Sequence, residues 1–292
     1  MAAGDLITAD DQIEWRGLIL GRGTPYGWKQ VDGLRDLPDI SGGDTQRTDR
    51  HGLYPGTTLA GGRTITFTYI TKRVAPAAFP AAVASLLAAT ALREGADEEP
   101  LVVRLHGTLY QVWARCVRRT MPLDAHYTIG KAKGAIQWRA SNPRVQQLPQ
   151  VDVPIGLPAS LSTGLIVPLT FPLDFGPGQT GGETTVTNLG NTDAWPTFRF
   201  SGPVTGPRIL APDVGGALVF DGAWTVPAGQ TIEVDTDART VTIVGSGVSR
   251  DDRLFTRQWF PLAPGPTRIQ WQSTGGYDPA AALHVLYHHT SN

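Results

Sequence analysis

The residues of this chain that could do chemistry include three acidic clusters. They are Asp10-Asp11, Asp97-Glu98-Glu99 and Asp251-Asp252. Two carboxylates can cleave a glycosidic bond when a cleft holds them roughly 5–9 Å apart. All three clusters lie in segments whose composition favours turns, where water solvates both charges. We therefore expect no glycosidase site and no catalytic residue among them.

Histidines near the end of the chain could instead bind a metal ion. His284, His288 and His289 lie in a segment that alternates like a strand. Alternation places His284 and His288 on one face, about 13 Å apart at the rise of a strand, which is too far for one ion. We expect polar residues of an edge strand here, with no metal site and no bound cofactor.

Cys116 is the only cysteine, so an internal disulfide and a cysteine-based zinc site are both excluded. Its neighbours predict a strand, which favours a buried thiol over a nucleophile. The sequence lacks the serine-hydrolase elbow, the zinc-protease His-Glu-x-x-His and the Walker loop. Gly21-Arg-Gly-Thr-Pro-Tyr26 begins like a dinucleotide-binding loop, but Tyr26 replaces the third glycine. We therefore expect that the protein is not an enzyme.

One local group of basic residues could make contacts of another kind. Its members lie on two neighbouring predicted strands and are Arg115, Arg118, Arg119, Lys131 and Lys133. Three interpretations remain open: a solvated sheet face, a contact with acidic loops of a neighbouring subunit such as residues 97–99, or a contact with DNA. The last is the least favoured, because no aromatic residues are interleaved with these charges.

Length and composition limit the classes of protein that are possible. The 292 residues fit two domains of about 140 residues each. A net charge of −1 gives the whole chain no electrostatic footprint for nucleic acid or for an anionic membrane. No segment approaches the ~20 apolar residues that span a bilayer. The first residues do not resemble a signal peptide, so we expect folding in a reducing cytoplasm.

The first 145 residues predict a β-rich domain with one helix. The predicted strands are residues 13–20, 64–70, 101–105, 110–118 and 135–140. In the second of these, apolar residues alternate with threonines, which predicts one buried and one exposed face. The helix should begin near Pro80 and continue to about Glu94, with Gly95 as its C-terminal stop.

A long segment rich in glycine and aspartate, residues 41–62, predicts a loop. A loop of this length without secondary structure is usually functional, so we expect it to reach a neighbouring subunit. The expected subunit contact uses residues of this loop and of the basic strands: Tyr54, Pro55, Gly56, Arg115, Arg118 and Arg119.

The second half of the chain predicts strands alone. Regularly spaced prolines mark residues 146–168 as a linker, and residues 169–292 predict an antiparallel β-sandwich. The predicted strands are residues 166–172, 183–188, 197–200, 217–220, 231–235, 240–244, 267–271 and 283–288. The pair 231–235 and 240–244 should form a hairpin. Tryptophans at 138, 224, 259 and 271 should fill cores, although an exposed one in this half could stack on a sugar.

Two stretches carry a resemblance to a known family. The N-terminal one comprises Leu18-Ile-Leu-Gly21, His51-Gly-Leu-Tyr-Pro-Gly56, Leu59-Ala-Gly-Gly-Arg-Thr-Ile-Thr66 and Trp138-Arg-Ala-Ser-Asn-Pro-Arg144. The C-terminal one comprises Thr187-Asn-Leu-Gly-Asn-Thr192, Pro196, Gly202-Pro-Val, Thr231-Ile-Glu-Val-Asp235, Arg239-Thr-Val241, Pro261-Leu-Ala-Pro-Gly265 and Arg268-Ile269. The first resembles the ring-forming domain of siphophage distal tail proteins, also called minor tail proteins in phages of actinobacteria. The second is similar to the galectin-like sandwich that ends the same family.

The resemblance implies a structural virion protein at the distal end of a phage tail, assembled in the host cytoplasm. Its first domain would form a hexameric ring of identical subunits between the tail tube protein and the tail hub, or tail-associated, protein. The sandwich would project outward and carry receptor-binding proteins, and the tape measure protein is a further expected partner. The alternative from another class is a carbohydrate-binding module or adhesin that acts on the host cell surface.

Overall fold

The structure, a computed structural model of the chain, describes residues 2–71, 75–158 and 182–292. The chain divides into two compact units, an N-terminal unit of residues 1–148 with 291–292 and a C-terminal unit of residues 149–290. Each unit has its own apolar core. The predicted fold class, mainly β with a C-terminal antiparallel sandwich, is confirmed. Among the described residues, no helix is long and apolar enough to cross a membrane.

The N-terminal unit is built on antiparallel strands and two α-helices. The strands are β1 (Gln12–Trp15), β2 (Leu18–Gly21), β3 (Tyr26–Asp32), β4 (Ile40–Gly42), β5 (Thr45–Gln46), β6 (Leu53–Tyr54), β7 (Thr58–Ala60), β8 (Arg63–Thr71), β9 (Glu99–Leu105), β10 (Thr108–Thr120), β11 (Lys133–Ala140) and β12 (Val145–Leu148). The helices are α1 (Phe79–Ala89) and α2 (Ala125–Thr128). The main sheet has the order β2-β1-β9-β10-β11-β8-β3, and β12 also pairs with β10.

The first predicted strand, residues 13–20, is in fact the hairpin of β1 and β2. Arg16 and Gly17 form its two-residue turn with φ values of 50° and 76°. Both positive values match the turn that joins strands with the usual right-handed twist. The prediction was wrong here because apolar residues continue on both sides of the turn.

The helix α1 ends earlier than predicted, at Ala89 instead of near Glu94. Side chains take the carbonyl oxygens that a longer helix would need. The Arg119 guanidinium donates to the Leu87 oxygen at 3.2 Å, and the Trp15 indole donates to the Ala89 oxygen at 2.9 Å. The Arg16 guanidinium donates to the Ala91 oxygen at 3.0 Å. The positive charge of Arg16 lies near the C-terminal end of α1, where it interacts favourably with the negative end of the helix dipole.

The predicted loop at residues 41–62 is a β-hairpin. Strand β4 pairs with β7, and farther along the same hairpin β5 pairs with β6. We call residues 40–60 the arm. Its strands were missed because both their faces are exposed, so the sequence shows no alternation of apolar and polar residues.

The C-terminal unit is a sandwich of two five-stranded antiparallel sheets. Its strands are β13 (Val151–Gly156), β14 (Glu183–Asn188), β15 (Thr197–Ser201), β16 (Val204–Thr205), β17 (Pro207–Ala211), β18 (Gly216–Phe220), β19 (Thr225–Val226), β20 (Thr231–Asp235), β21 (Thr240–Ile243), β22 (Leu254–Gln258), β23 (Gly265–Ser273) and β24 (Ala282–Tyr287). The last strand of the chain, β25 (Thr290–Ser291), is not part of either sheet of the sandwich. The sheets have the orders β13-β24-β15-β20-β21 and β14-β23-β17-β18-β22. The predicted hairpin of β20 and β21 is confirmed, with Ile232 opposite Ile243 and Val234 opposite Val241.

The segment with the predicted linker contains strands as well. Val145–Leu148 belongs to the N-terminal unit and Val151–Gly156 to the C-terminal unit. The predicted strand at residues 166–172 lies outside the described residues.

The four tryptophans that were predicted to fill cores are fully or partly buried. Trp138 and Trp271 are fully buried, whereas Trp224 and Trp259 are partly buried against the C-terminal core. None of the tryptophans in the C-terminal unit is exposed, so an exposed tryptophan that could stack on a sugar is not found there.

Candidate functional site

The arm presents large apolar side chains to solvent. Ile40 and Leu59 are 62% and 63% exposed, and Leu53 and Tyr54 are 50% exposed. A two-stranded hairpin alone is at best marginally stable in water, because it has no second layer to bury such side chains. An exposed apolar surface of this kind is typical of a contact with another molecule.

Two local contacts give the arm its shape. The Arg47 guanidinium lies over the Tyr54 ring, 4.8 Å from its centroid. The Gly56 amide donates to Asp44 at 2.9 Å, and its Cα lies so close to Gly43 that an added Cβ would lie 2.4 Å from the Gly43 carbonyl carbon. The residues Tyr54, Pro55 and Gly56, predicted as contact residues, therefore lie where the two ladders of the arm join.

The predicted basic group is divided between two faces of the sheet. A β-bulge interrupts the pairing of β10 with β11 between Cys116 and Arg118. As a result Arg118 pairs with the partly exposed Gln137, and Arg119 pairs with the buried Ile136. Arg115 lies opposite the exposed Arg139. Arg115 and Arg118 thus lie with Arg139 on the solvent-exposed face of the sheet, which we call the uncovered face. The side chain of Arg119 extends toward α1 instead.

Arg119 has a structural partner inside its own subunit. Its Nη1 donates to the Thr90 hydroxyl at 2.7 Å and to the Leu87 oxygen at 3.2 Å. These contacts place the positive charge of Arg119 at the C-terminal end of α1, where it interacts favourably with the negative end of the helix dipole. Arg119 therefore has a partner within its own subunit, and its role in a subunit contact stays a prediction.

The two lysines of the group lie beside the short helix α2. The Asp124 carboxylate accepts from the amides of His126 and Tyr127, at 3.0 and 3.1 Å, and so caps the first turn of α2. The Tyr127 amide is the main reason why the pKa of Asp124 is lowered. Lys133 forms an ion pair with the same carboxylate at 3.2 Å, so this lysine stabilises α2.

The three acidic clusters each contain a carboxylate with a partner inside the fold. In the first, Asp10 pairs with Arg104 at 3.2 Å. In the second, Glu99 pairs with Arg16 and Arg93. In the third, Asp251 accepts from the Val241 amide at 2.7 Å. These partners give Asp10, Glu99 and Asp251 a structural role.

The histidines and the cysteine also have structural surroundings. His284 contacts Asp152 at 2.8 Å, and the Leu189 amide donates to His289 at 3.1 Å. Among the residues that the structure describes, no group of histidine, cysteine and carboxylate side chains could hold a metal ion. Cys116 is partly buried, and burial raises the pKa of its thiol. A thiol with a raised pKa is a poor nucleophile at neutral pH.

Sequence reasoning missed an apolar groove beside α1. Phe79, Val83 and Leu87 line it from α1, while Tyr127 and Ile129 line it from α2 and the residue after it. Helices α1 and α2 are separated by about forty residues of sequence. The Asp124 cap is the local signal that could have predicted α2, but no sequence pattern indicates that the two helices meet.

Comparison with known families supports a tail protein. Residues 189–280 match the family described as siphovirus-type tail component, C-terminal domain. The fold is similar to that of the Dit protein of phage SPP1, which is described as a paradigm of the hub adsorption apparatus in phages that infect Gram-positive bacteria. That likeness has a TM-score of 0.64 at 15% identity, over 94% of this chain and 97% of that one. The resemblance to siphophage distal tail proteins is confirmed.

A second solved structure has a related fold. It is the baseplate of phage P2 in its activated conformation with calcium, with a TM-score of 0.50 at 10% identity, over 91% of each chain. No curated protein matches the sequence. The similarity of fold to these phage proteins covers both units of the chain.

Proposed function

We propose that the protein forms a homo-hexameric ring at the distal end of the phage tail. The N-terminal unit makes the ring, which joins the tail tube protein on one side to the tail hub protein on the other. The C-terminal sandwich projects outward, where it is available to receptor-binding proteins. The tape measure protein is a further candidate partner at the centre of the ring.

The observation that carries this proposal is the arm. It is a hairpin whose strands are exposed on both faces and which displays four large apolar side chains. Ordering such a segment costs about 1–2 kcal/mol per residue, so it requires a compensating contact. A neighbouring copy in a closed ring supplies that contact to every subunit equally.

The uncovered sheet face is a second surface for the same assembly. It carries Arg115, Arg118 and Arg139, and the threonines of β8 alternate toward the side away from the core. Guanidinium groups make forked contacts with carboxylates. The exposed Asp97 of a neighbour is one candidate partner, and the tube and hub proteins could supply others.

Shortening the arm of the full chain tests the role of the arm. Residues 44–56 would be replaced by a two-residue Asn-Gly turn, which can join β4 to β7 directly because Gly42 lies opposite Thr58. We expect a folded subunit by circular dichroism that no longer assembles, as measured by light scattering. As a control, the exposed residues Asp237 and Ala238 in the turn between β20 and β21 would be replaced by the same dipeptide. An arm-shortened chain that still assembles would remove the arm from the ring contact.

A further inference from the structure

A second concavity of the N-terminal unit lies where β2 leads into β3. Its volume is about 790 Å³, within the range of small-ligand sites. Its lining combines one indole ring with side chains that can form hydrogen bonds, namely Trp28, Asp11, Arg22 and Thr24. The turn that begins like a dinucleotide-binding loop, from Gly21 onward, supplies most of the remaining wall. We call this concavity the turn pocket.

Hydrogen bonds within the chain hold the walls of the turn pocket in place. The Arg22 amide donates to the Asp11 carbonyl oxygen at 2.8 Å. The buried side chain of Gln12 donates to the Arg22 carbonyl oxygen at 2.9 Å. The Thr24 hydroxyl donates to the Gly21 oxygen at 2.9 Å. The pocket is therefore preorganised, which lowers the entropic cost of binding a ligand.

The indole of Trp28 is fixed from two sides. Phe67 packs against it edge to face, with ring centroids 5.6 Å apart. It also lies against the backbone of Gly21, where an added Cβ would be 3.2 Å from the indole Cε3 and 2.1 Å from the Asp11 carbonyl oxygen. Trp28 remains partly exposed and lines the turn pocket. A rigid aromatic ring is thus available as a binding platform.

The charges of the lining favour a neutral ligand. Its charged members are Asp11 and Arg22, whose charges cancel. The element after the turn is the strand β3 instead of a helix. The turn therefore lacks the helix N-terminus on which dinucleotide sites place a phosphate.

We propose that the turn pocket binds a neutral saccharide. A sugar ring has an apolar face of C–H groups, which can stack on the indole of Trp28. Its hydroxyl groups both donate and accept hydrogen bonds, so they suit the acceptor carboxylate of Asp11 and the donor guanidinium of Arg22. The proposal does not rest on the ring, because every lining residue belongs to one subunit.

Titration calorimetry of the full chain tests this binding. The probes are soluble neutral oligosaccharides that contain glucose, galactose, rhamnose or N-acetylhexosamine, with oligogalacturonate as the anionic comparison. We expect a dissociation constant of roughly 1 mM or lower for at least one neutral probe. Trp28→Ala should raise that constant about tenfold or more. Trp113→Ala should leave it unchanged, because Trp113 is 46% exposed on β10 and does not line the pocket.

Two further variants leave the packing of Trp28 on Phe67 intact. Asp11→Asn removes the carboxylate but keeps a residue type that tolerates the φ of 61° at this position. Arg22→Ala removes an exposed guanidinium. Each should raise the dissociation constant by about tenfold, as for a lost hydrogen bond to a charged group. Circular dichroism confirms that the variants fold.

The outcomes separate this inference from the proposed ring. No binding of any neutral probe at roughly 10 mM, or binding that folded Asp11→Asn and Arg22→Ala both leave unchanged, would overturn the turn pocket as a saccharide site. Tighter binding of oligogalacturonate than of every neutral probe would overturn the neutral class of ligand. Light scattering of the same samples reports assembly, so rings that bind no saccharide would overturn this inference alone. A monomeric chain that binds saccharide in the pocket would support it and contradict the ring alone.

Discussion

The guanidinium of Arg63 donates from Nε to the carbonyl oxygen of Pro143 at 2.7 Å. The same side chain is almost fully buried, and its Nη1 donates to the oxygens of Gly33 and Asp36 at 2.6 and 2.7 Å. Arg63 belongs to one of the N-terminal motifs that carry the family resemblance, and Pro143 belongs to another. One buried arginine therefore connects the segment after β3, the start of β8 and the segment between β11 and β12.

Replacing this arginine should strongly destabilise the N-terminal unit. In Arg63→Met, the buried carbonyls lose charge-assisted hydrogen bonds, and we expect the free energy of unfolding to fall by roughly 3 kcal/mol or more. Hydrogen exchange of the full chain measures this loss, since it reports the N-terminal unit separately. Arg139→Met is the matched control, because Arg139 is exposed on the adjacent strand. Equal protection of the N-terminal unit from hydrogen exchange in the two variants would refute the assigned role of Arg63.

Arg118 and Arg119 should differ, although they are neighbours in the chain. Arg119→Ala removes a cation from the end of α1 and should lower the free energy of unfolding by about 1 kcal/mol. Arg118→Ala removes an exposed side chain and should leave it nearly unchanged. Thermal denaturation compares the two variants. If Arg118→Ala were instead the less stable variant, the bulge would not separate the two side chains as described.

Arg118 also gives a test of the uncovered sheet face as a subunit contact. Arg118→Glu should leave the subunit folded but weaken assembly, since a like charge would face a neighbour's carboxylate. Light scattering measures the assembly, and Arg208→Glu, at an exposed position in the C-terminal unit, is the control. Assembly at the same concentration in both variants would exclude Arg118 from the contact.

The buried phenol of Tyr69 should make the N-terminal unit sensitive to alkali. Burial raises the pKa of this hydroxyl to about 12, so the neutral form is favoured in the folded state. An unfolded tyrosine ionises near pH 10. The stabilisation is therefore complete below about pH 10 and is lost as the pH rises toward 12.

The measurement is the difference in unfolding free energy between the protein and Tyr69→Phe across this range. We expect it to change by roughly 2–3 kcal/mol between pH 10 and 12 in favour of the variant. At neutral pH the two should be similar, because the hydroxyl has no hydrogen-bond partner within the described parts of the chain. A difference that is constant with pH would contradict the raised pKa.

Two glycines of the arm should respond differently to the same substitution. Gly56→Ala places a methyl group 2.4 Å from the Gly43 carbonyl carbon and must displace one strand of the arm. Gly43→Ala meets nothing within 4 Å. We expect Gly56→Ala to reduce assembly and Gly43→Ala to preserve it, as measured by sedimentation velocity. Equal assembly in both would mean that the shape of the arm does not matter.

Alternation of residue types predicted the strands that have one buried and one exposed face. The strands β8 and β20 were located in this way because apolar and polar residues alternate along them. The same rule could not find the arm, where both faces are exposed. The same rule predicted β1 and β2 as a single strand, since only Gly17 marks the turn between them.

The candidate contact residues were predicted less well than the strands. The sequence indicated that residues 54–56 and the arginines matter, but no pattern in it reveals the bulge after Cys116. That single extra residue turns Arg119 toward α1 and leaves Arg118 on the uncovered face. The groove is also invisible in the sequence, because its two sides come together only through packing of α1 against the segment that contains α2.

Electron microscopy of the purified full chain tests the ring most directly. We expect class averages of closed rings with about six subunits, and a particle mass near six times the 31.3 kDa of one chain. Removal of the arm should abolish these rings and leave folded single subunits. The proposed function would be contradicted if the images showed no closed particles. In that case the full-length chain would remain a monomer at concentrations well above those at which related rings assemble.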